Sequence, residues 1–575
     1  VAHTLRPPTR GLGNAPDPAT ILDAPVRGRG WPAWWPAVLA SLALLAAYVG
    51  LSFVNDPRGF LGTDTGGKVA TLEVMQRGGA DPDLGYWAAD LDPDGDLHPL
   101  YYTYPFGERW VNVTTLPALL VAEPLYDLAG YRGALLVPML GALLAAHAAR
   151  VLAERLGGRP WLTFWVIGLA SPLVVYALDF WEHTLGVAAL GWALVWLHDV
   201  RTGRRPAAWA GAAALAIGAA GTMRTEALLY GAIAVAGVMV LRVLARDVKG
   251  AAIAGITAAV GVVIPLAGNQ LLEKALIGEG IRASRAAGTA AGAGIAMADR
   301  VEEGLITSVV IRAQGSTTGA IAIGLACAGL LAATVALATS SDGERRRYAP
   351  FAAAVVAVIL LVPAIGGLGF LPGLTAAAPL AAVGVLALRT KGTARELALY
   401  ALIVLPLVWA TQFTGGAWPQ WGGRYVLVSG FVLTVVGLRV IAEAPRWVQV
   451  WGVALALGVS ALGLGWMHQR THAIAATAEV IVARDEPVVV STVGHLFREV
   501  GAVYTPERRW LTAENAAEVQ RSLELAASIG AERVAVLAVA DTRPDLSRYR
   551  VVDTETVSFL SGISLDIIVV DPRAR

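Results

Sequence analysis

The sequence predicts an all-α polytopic membrane protein of about 13 transmembrane helices, followed by a small C-terminal α/β domain outside the membrane. Three observations predict it. Of 575 residues, 56% are hydrophobic and only 15% are charged, with a mean hydropathy of +0.58; a soluble domain carries about 25% charge. Apolar runs near the ~20 residues that a membrane helix needs recur along the chain. Residues 470–575 then return to ordinary charge and strand-like alternation.

The runs fall at 35–54, 132–152, 161–178, 183–198, 207–223, 226–244, 250–272, 316–339, 349–366, 371–388, 396–413, 425–442 and 447–467. Residues 112–130 are apolar but hold Pro117, Glu123, Pro124 and Asp127, which reads as an interfacial or re-entrant segment. Residues 1–34 are rich in Pro, Gly and Arg and read as a disordered cytoplasmic N-terminus. Trp31, Trp34 and Trp35 before the first span read as an interfacial belt.

Direction follows from the basic residues. With the N-terminus inside, the inner loops hold Arg150, Arg155, Arg159, then Arg201, Arg204, Arg205, then Arg242, Arg246, Lys249. The remaining inner loops hold Arg345, Arg346, Arg347, then Arg389, Lys391, Arg395, then Arg439 and Arg446. The short outer loops hold only Arg224 and Arg424. Positive charge gathers on the cytoplasmic side of membrane proteins, so the protein is expected in the plasma membrane, multi-pass, with its C-terminal domain extracytoplasmic. Two long outer loops remain, 55–131 and 273–315.

Composition excludes some functions. A net charge of +1 leaves no basic excess to neutralise nucleic-acid phosphates. A single cysteine, Cys327, forms no intrachain disulfide and builds no cysteine zinc site.

The outer ends of the spans carry a particular mixture. The first outer loop holds Gly62-Thr-Asp64-Thr-Gly-Gly-Lys68 and, further on, Glu108-Arg109-Trp110. Later outer turns read Asp179-Phe-Trp-Glu182-His183, Arg224-Thr-Glu226 and Trp418-Pro-Gln420-Trp421-Gly-Gly-Arg424-Tyr425. Acids for hydroxyls, guanidinium forks for phosphate and aromatic faces for sugar rings are what a carbohydrate or phosphate site needs.

Plainer readings stand beside this one. Asp64 fits a helix cap before Lys68–Met75, and Lys68 an exposed helix residue. Arg224 fits an ion pair with Glu226 or a snorkelling side chain. Glu182 and His183 fit a capped turn, Glu108 and Arg109 a loop ion pair, and Trp418, Trp421 and Tyr425 an aromatic belt. Asp64, Asp179, Glu182 and His183 have the donors for a divalent metal, but no tight spacing supports one, and no cofactor is expected. The segment Asp90-Leu-Asp92-Pro-Asp94-Gly-Asp96 half-matches a calcium loop, with Tyr101 where that loop needs Glu. It reads better as a hairpin turn between Trp87–Leu91 and His98–Thr103.

The order of these features across residues 35–467 resembles the GT-C superfamily of integral membrane glycosyltransferases that use polyprenyl-phosphate sugars. Those enzymes carry a large first outer loop, an acidic residue just past the first span and often a soluble C-terminal domain. The resemblance implies an inverting transfer from a polyprenyl-phosphate donor to the hydroxyl of an extracytoplasmic glycan, lipid or protein. It implies Asp64 as the base. The substrate-binding rim would comprise Lys68, Glu108, Arg109, Asp179, Glu182, His183, Arg224, Glu226, Gln420, Trp421, Arg424 and Tyr425. A transporter or lipid flippase would instead place ionisable groups near the bilayer midplane; an oligosaccharide polymerase or ligase would share the spans and use a diphosphate-linked donor.

Overall fold

The computed structural model describes residues 34–203, 206–281, 296–312, 317–362, 372–412, 420–505, 508–560 and 563–574. The N-terminal segment expected to be disordered, Trp418 and much of loop 273–315 lie outside these residues. The chain divides into two compact units, Val1–Leu44 and Leu45–Arg575. In the first, Trp34 stacks on Trp35 at a centroid distance of 4.9 Å, and Trp35 opens helix α1 (Trp35–Ser52), which runs across the division.

The second unit begins with α2 (Thr63–Gly78), the hairpin β1 (Thr103–Phe106) and β2 (Arg109–Asn112), and α3 (Leu116–Ala134). There follow α4 (Leu136–Arg155), α5 (Pro160–Leu169), α6 (Leu173–Tyr176), α7 (His183–Arg201), α8 (Pro206–Met223), α9 (Glu226–Leu244) and α10 (Val248–Ile277). Then come α11 (Met297–Val309), α12 (Thr317–Ala338), α13 (Gly343–Arg346), α14 (Ala349–Leu361), α15 (Leu374–Ala377), α16 (Pro379–Gly384), α17 (Thr393–Gln412), α18 (Leu427–Ile441) and α19 (Arg446–Val482).

Among the described residues, eight helices are long and apolar enough to cross a membrane, which is the length and composition of a multi-pass membrane protein. Several of the other predicted runs are shorter or broken. The run at 161–178 ends its first helix at Leu169, because Pro172 cannot continue the ladder. Ser171 caps the break, donating to Ile167 O and accepting from Leu173 N, while Tyr48 Oη donates to the freed Gly168 carbonyl at 2.8 Å. The run at 371–388 likewise splits into α15, α16 and a 3₁₀ turn. Residues 116–134 form a helix that kinks at Ala129–Gly130. Small residues let the helices approach closely: Ala142, Ala145, Ala146 and Ala149 of α4 are all buried.

The C-terminal sheet has five strands, β3 (Val488–Ser491), β4 (Arg509–Thr512), β5 (Val534–Val539), β6 (Arg550–Leu560) and β7 (Ile563–Asp571), in the order β4-β3-β5-β7-β6. β3 is parallel to β4 and β5; β7 is antiparallel to β5 and β6. Helix α20 (Leu496–Glu499) follows β3, and α21 (Ala516–Ser528) follows β4 with Asn515 as its cap. The runs at 487–492, 533–539 and 566–570 are strands; β4, only four residues long, and β6, polar at Arg550, Asp553, Thr554, Glu555 and Thr556, show no such apolar run.

The boundary expected at 470 falls inside α19, which continues unbroken to Val482. The sheet also does not close its core alone. Ile474, Ala478 and Ile481 of α19, Ala70 of α2, and Leu84 and Leu100 of the segment between α2 and β1 pack with Val489, Phe497, Trp510 and Ile567. Ala88 and Leu97 join the opposite face with Val488, Leu511 and Leu523. A sheet buried on both faces needs two covers, and the segment between α2 and β1 supplies part of each.

This replaces the hairpin expected around the acidic turn. Residues 87–91 and 98–102 form turns rather than strands. Asp92 is fully buried and accepts from Tyr86 Oη at 2.7 Å, Leu97 N at 2.9 Å and Arg521 Nη2 at 2.7 Å. Thr512 N in turn donates to Leu97 O at 2.9 Å. The acidic segment is a clasp between the first loop and the C-terminal sheet. Asp92→Ala removes the acceptor of three donors, the buried Leu97 N–H among them, and should destabilise this docking by about 1–3 kcal/mol. The check is a lowered thermal midpoint in detergent together with faster proteolysis within residues 84–100.

Candidate active site

The sequence Gly62-Thr-Asp64-Thr-Gly-Gly-Lys68 opens α2, with Gly62 as its cap residue and no side-chain cap. Asp64 is therefore free of the capping role. Its two oxygens go to two guanidiniums: Oδ2 accepts from Arg424 Nη1 at 2.9 Å and Oδ1 from Arg498 Nη2 at 2.8 Å. One turn on, Lys68 is 3% exposed and donates to Glu182. The other oxygen of Glu182 stands 3.5 Å from Arg224 Nη1, and Arg224 Nε donates to Glu226 at 2.8 Å. Lys68, Glu182, Arg224 and Glu226 thus form one buried chain of alternating charge, the condition under which buried ions are tolerated.

Tyr425 spaces the two arginines. The Arg224 guanidinium lies 5.0 Å, and that of Arg424 4.9 Å, from its ring centroid, within the range of cation–π attraction. The tripeptide Trp421-Gly-Gly places Arg424. Gly422 and Gly423 take φ of +85° and +67°, a turn only glycine makes without strain. Trp421 is 1% exposed and stacked on Trp466 at 5.7 Å. It anchors the turn as a core residue and presents no ring face to a ligand. Tyr176 Oη donates to the Gln420 carbonyl at 3.4 Å.

His183 is 3% exposed, with Trp181 and Tyr176 at centroid distances of 5.0 and 5.2 Å, and neither ring nitrogen has a hydrogen-bond partner among the described residues. Arg224 Nη2, Arg424 Nε and Arg498 Nε are also buried without an acceptor among the described residues. Native structures leave few buried donors unpaired, and those of His183, Arg224 and Arg424 meet at one place. His183, Arg224, Glu226, Arg424 and Tyr425 head a small cleft whose wall is Gly186, Val187, Leu190, Ala227, Leu427 and Val428, from α7, α9 and α18. One end is polar and cationic; the rest is hydrocarbon.

Asp179 sits beside this chain in a separate setting. It is fully buried and accepts from Thr65 Oγ1 and Tyr131 Oη, both at 2.8 Å. Burial pushes its carboxyl up to about 6, against the opposing hydrogen bonds from Thr65 and Tyr131. Asp64 moves the other way. Burial works to raise it, but Arg424, Arg498 and Lys68 outweigh that and hold it well below the usual carboxylate range. Asp64 keeps a side chain 29% exposed, against 5% for Glu182 and none for Asp179, so it is the carboxylate of the three that a second reactant can reach.

The structure thus brings together Asp64, Lys68, Glu182, His183, Arg224, Glu226, Arg424 and Tyr425, with Asp179 and Gln420 adjoining. It does not bring in Glu108, which is exposed at the β1–β2 turn, or Arg109, which donates to Leu276 O and pairs with Asp81 at 3.4 Å. Sequence reasoning missed Arg498, Thr65 and Tyr131. Arg498 was hidden because one arginine in a domain of ordinary charge carries no signal; Tyr131 lies where the run 112–130 meets α4. Among the described residues, no three His, Cys, Asp or Glu side chains are grouped to hold a metal ion.

No family model matches the chain, and no curated protein matches it. Among solved structures, ArnT from Cupriavidus metallidurans in the apo state aligns over 94% of this chain and 99% of that one, at 16% identity and a TM-score of 0.38. The same protein bound to undecaprenyl phosphate aligns over the same shares, at 15% identity and a TM-score of 0.40. The Archaeoglobus fulgidus oligosaccharyltransferase in complex with zinc and sulfate aligns over 86% of this chain and 67% of that one, at 12% identity and a TM-score of 0.45. Likeness at this level assigns neither a reaction nor a ligand.

The raised Asp179 carboxyl has a stability consequence. The folded state binds its proton more tightly than the unfolded chain, so this contribution is present near pH 4 and is lost as pH rises through about 6. The loss is at most about 1.4 kcal/mol per pH unit. Asp179→Asn does not titrate. Relative to wild type, its thermal midpoint should therefore climb between about pH 4 and pH 6, and a constant offset across that range would contradict the assignment.

Proposed function

We propose that the chain is an inverting glycosyltransferase. It moves a sugar from a polyprenyl-phosphate donor to an acceptor hydroxyl on the extracytoplasmic side of the plasma membrane. The observation that carries this reading is the cleft in which Arg224, Arg424 and His183 head a hydrocarbon wall, with the reachable carboxylate of Asp64 bonded directly to Arg424. A lipid phosphate has this polarity: an anionic head and a long apolar tail. Arg forks suit the head, and α7, α9 and α18 offer the tail an apolar surface.

In the reaction the acceptor oxygen attacks the anomeric carbon. The bond from that carbon to the phosphate oxygen breaks, and the electron pair leaves on the lipid phosphate. That leaving group is already a stable anion, so no strong general acid is required. Arg224 and Arg424 neutralise the charge that develops on it. Arg424 holds Asp64 with Nη1 and keeps Nε without a partner, so one guanidinium addresses both the base and the phosphate. Asp64 takes the acceptor proton. Its depressed basicity keeps it ionised, and proton transfer falls late, once the forming bond has acidified the hydroxyl. The Lys68–Glu182–Arg224–Glu226 chain fixes Arg224 against α7, where Gly186 leaves room for its side chain.

The test is transfer from a labelled polyprenyl-phosphate sugar in membranes containing the full chain. Asp64→Asn should cost about 10²–10⁴-fold in kcat while the protein stays inserted. Arg424→Ala and Arg224→Ala should weaken the donor chiefly through KM. Full activity in Asp64→Asn would remove the base assignment, and an unchanged donor KM in both arginine variants would remove the phosphate assignment.

A further inference from the structure

The second guanidinium on Asp64 comes from an unexpected place. Arg498 belongs to α20, between the first and second strands of the C-terminal sheet, more than four hundred residues from Asp64 in sequence. It is 5% exposed at its side chain, and its guanidinium lies 5.2 Å from the centroid of the Tyr102 ring. We infer that Arg498 is a positioning residue for Asp64, and that the site is complete only when the C-terminal sheet is seated on the Gly66–Gly67 face of α2. This rests on the glycosyltransferase reading above and assigns the C-terminal domain a part in it.

Two observations beyond the ion pair carry the inference. The first is the seat. A Cβ on Gly66 would lie 1.2 Å from the Arg498 carbonyl oxygen, and one on Gly501 would lie 2.0 Å from the Gly66 carbonyl oxygen. The two segments touch backbone to backbone, one turn from Asp64 and on the same helix, so the seating of α20 sets where the guanidinium arrives. The second is the anchoring of α20 from the membrane side. Glu499, 2% exposed, pairs with Arg470 of α19, and Arg470 Nε donates to Leu61 O at 2.8 Å, just before α2. Helix α20 is thus clamped between the last long helix and the start of α2.

The chemistry follows from the geometry. Arg424 already faces the cleft and is shared with the donor head. Arg498 holds the other carboxylate oxygen and does not line that cleft. It fixes the plane of the carboxylate without competing for the phosphate. The charged groups facing Asp64 are Arg424, Arg498, Lys68 and Glu182, with the titratable His183 also in range; removing Arg498 takes away one of three cations and leaves the like-charged Glu182 in place.

The experiment uses the full-length protein in lipid nanodiscs, with wild type, Arg498→Met, Arg498→Lys and Gly66→Ala. It measures kcat and donor KM for transfer against pH, and binding of undecaprenyl phosphate as the probe. Arg498→Met should lower kcat about 100-fold with donor KM and probe binding unchanged. Its acid limb should move up by about one to three pH units, because the carboxylate loses a nearby opposite charge. Arg498→Lys should bring that limb back toward wild type, which a merely structural role would not do. Gly66→Ala should reproduce the kcat loss with Arg498 still present. Should Arg498→Met fail to fold, Arg498→Gln decides by the same two readouts. A wild-type kcat and acid limb in the neutral variant overturns the inference. So does a loss of probe binding, which would make Arg498 a donor ligand. If wild type neither binds the probe nor transfers sugar, the glycosyltransferase reading itself falls, and the inference falls with it.

Discussion

A single carboxylate, Asp64, is shared between two guanidiniums that arrive from different parts of the chain. Arg424 comes from the turn before α18, and Arg498 from the short helix after the first strand of the C-terminal sheet. Partly buried charges at such spacing are tolerated only with partners, so each element that carries one is held to the others. The start of α2, the Trp-Gly-Gly turn and the seat of α20 converge on this one shared contact. The Lys68–Glu182–Arg224–Glu226 chain extends the same logic along the helix ends, and Tyr425 lets two like charges stand on either side of one ring.

The neighbourhood divides its acids by environment. Asp179 has hydroxyl donors and complete burial, and its proton is held more firmly than usual. Glu182 is pulled down to about 2, with Lys68 and Arg224 outweighing the upward pull of burial. Asp64 is also kept ionised and alone retains substantial exposure. Carboxylates with such different protonation and access cannot serve interchangeable roles. The accessible, ionised one suits a reactant; the buried ones suit the frame. Among the described residues, one nitrogen each of Arg224 and Arg424 and both of His183 have no hydrogen-bond partner, which leaves the polar end of the cleft with open hydrogen-bonding capacity.

Much of the site was legible because a membrane solvent makes polarity informative. Asp64, Glu182, Arg224 and Arg424 stand out against apolar runs, and the two arginines break an otherwise strict charge asymmetry. The same signal misled for Glu108, Arg109 and Trp421. Hydropathy reports how far along the bilayer normal a residue lies, and says nothing about its position in the membrane plane. Arg109 shares that depth signal yet is spent on Asp81 and the end of α10. Trp421 looks like a belt residue and is instead the buried anchor of a glycine turn.

By itself the sequence determined the class: apolar runs and scarce charge require a helical membrane protein, and strand patterns after the last run require a sheet. It also determined where polar chemistry is permitted, at the ends of the helices. The tertiary structure alone decided which of those ends meet, that the segment between α2 and β1 completes the core of the C-terminal sheet, and that Arg498 reaches Asp64. The physical reason is range. Burial and periodicity act along a local stretch of chain and leave a pattern in it. An ion pair spanning most of the chain depends on backbones meeting at Gly66 and Gly501, and leaves none.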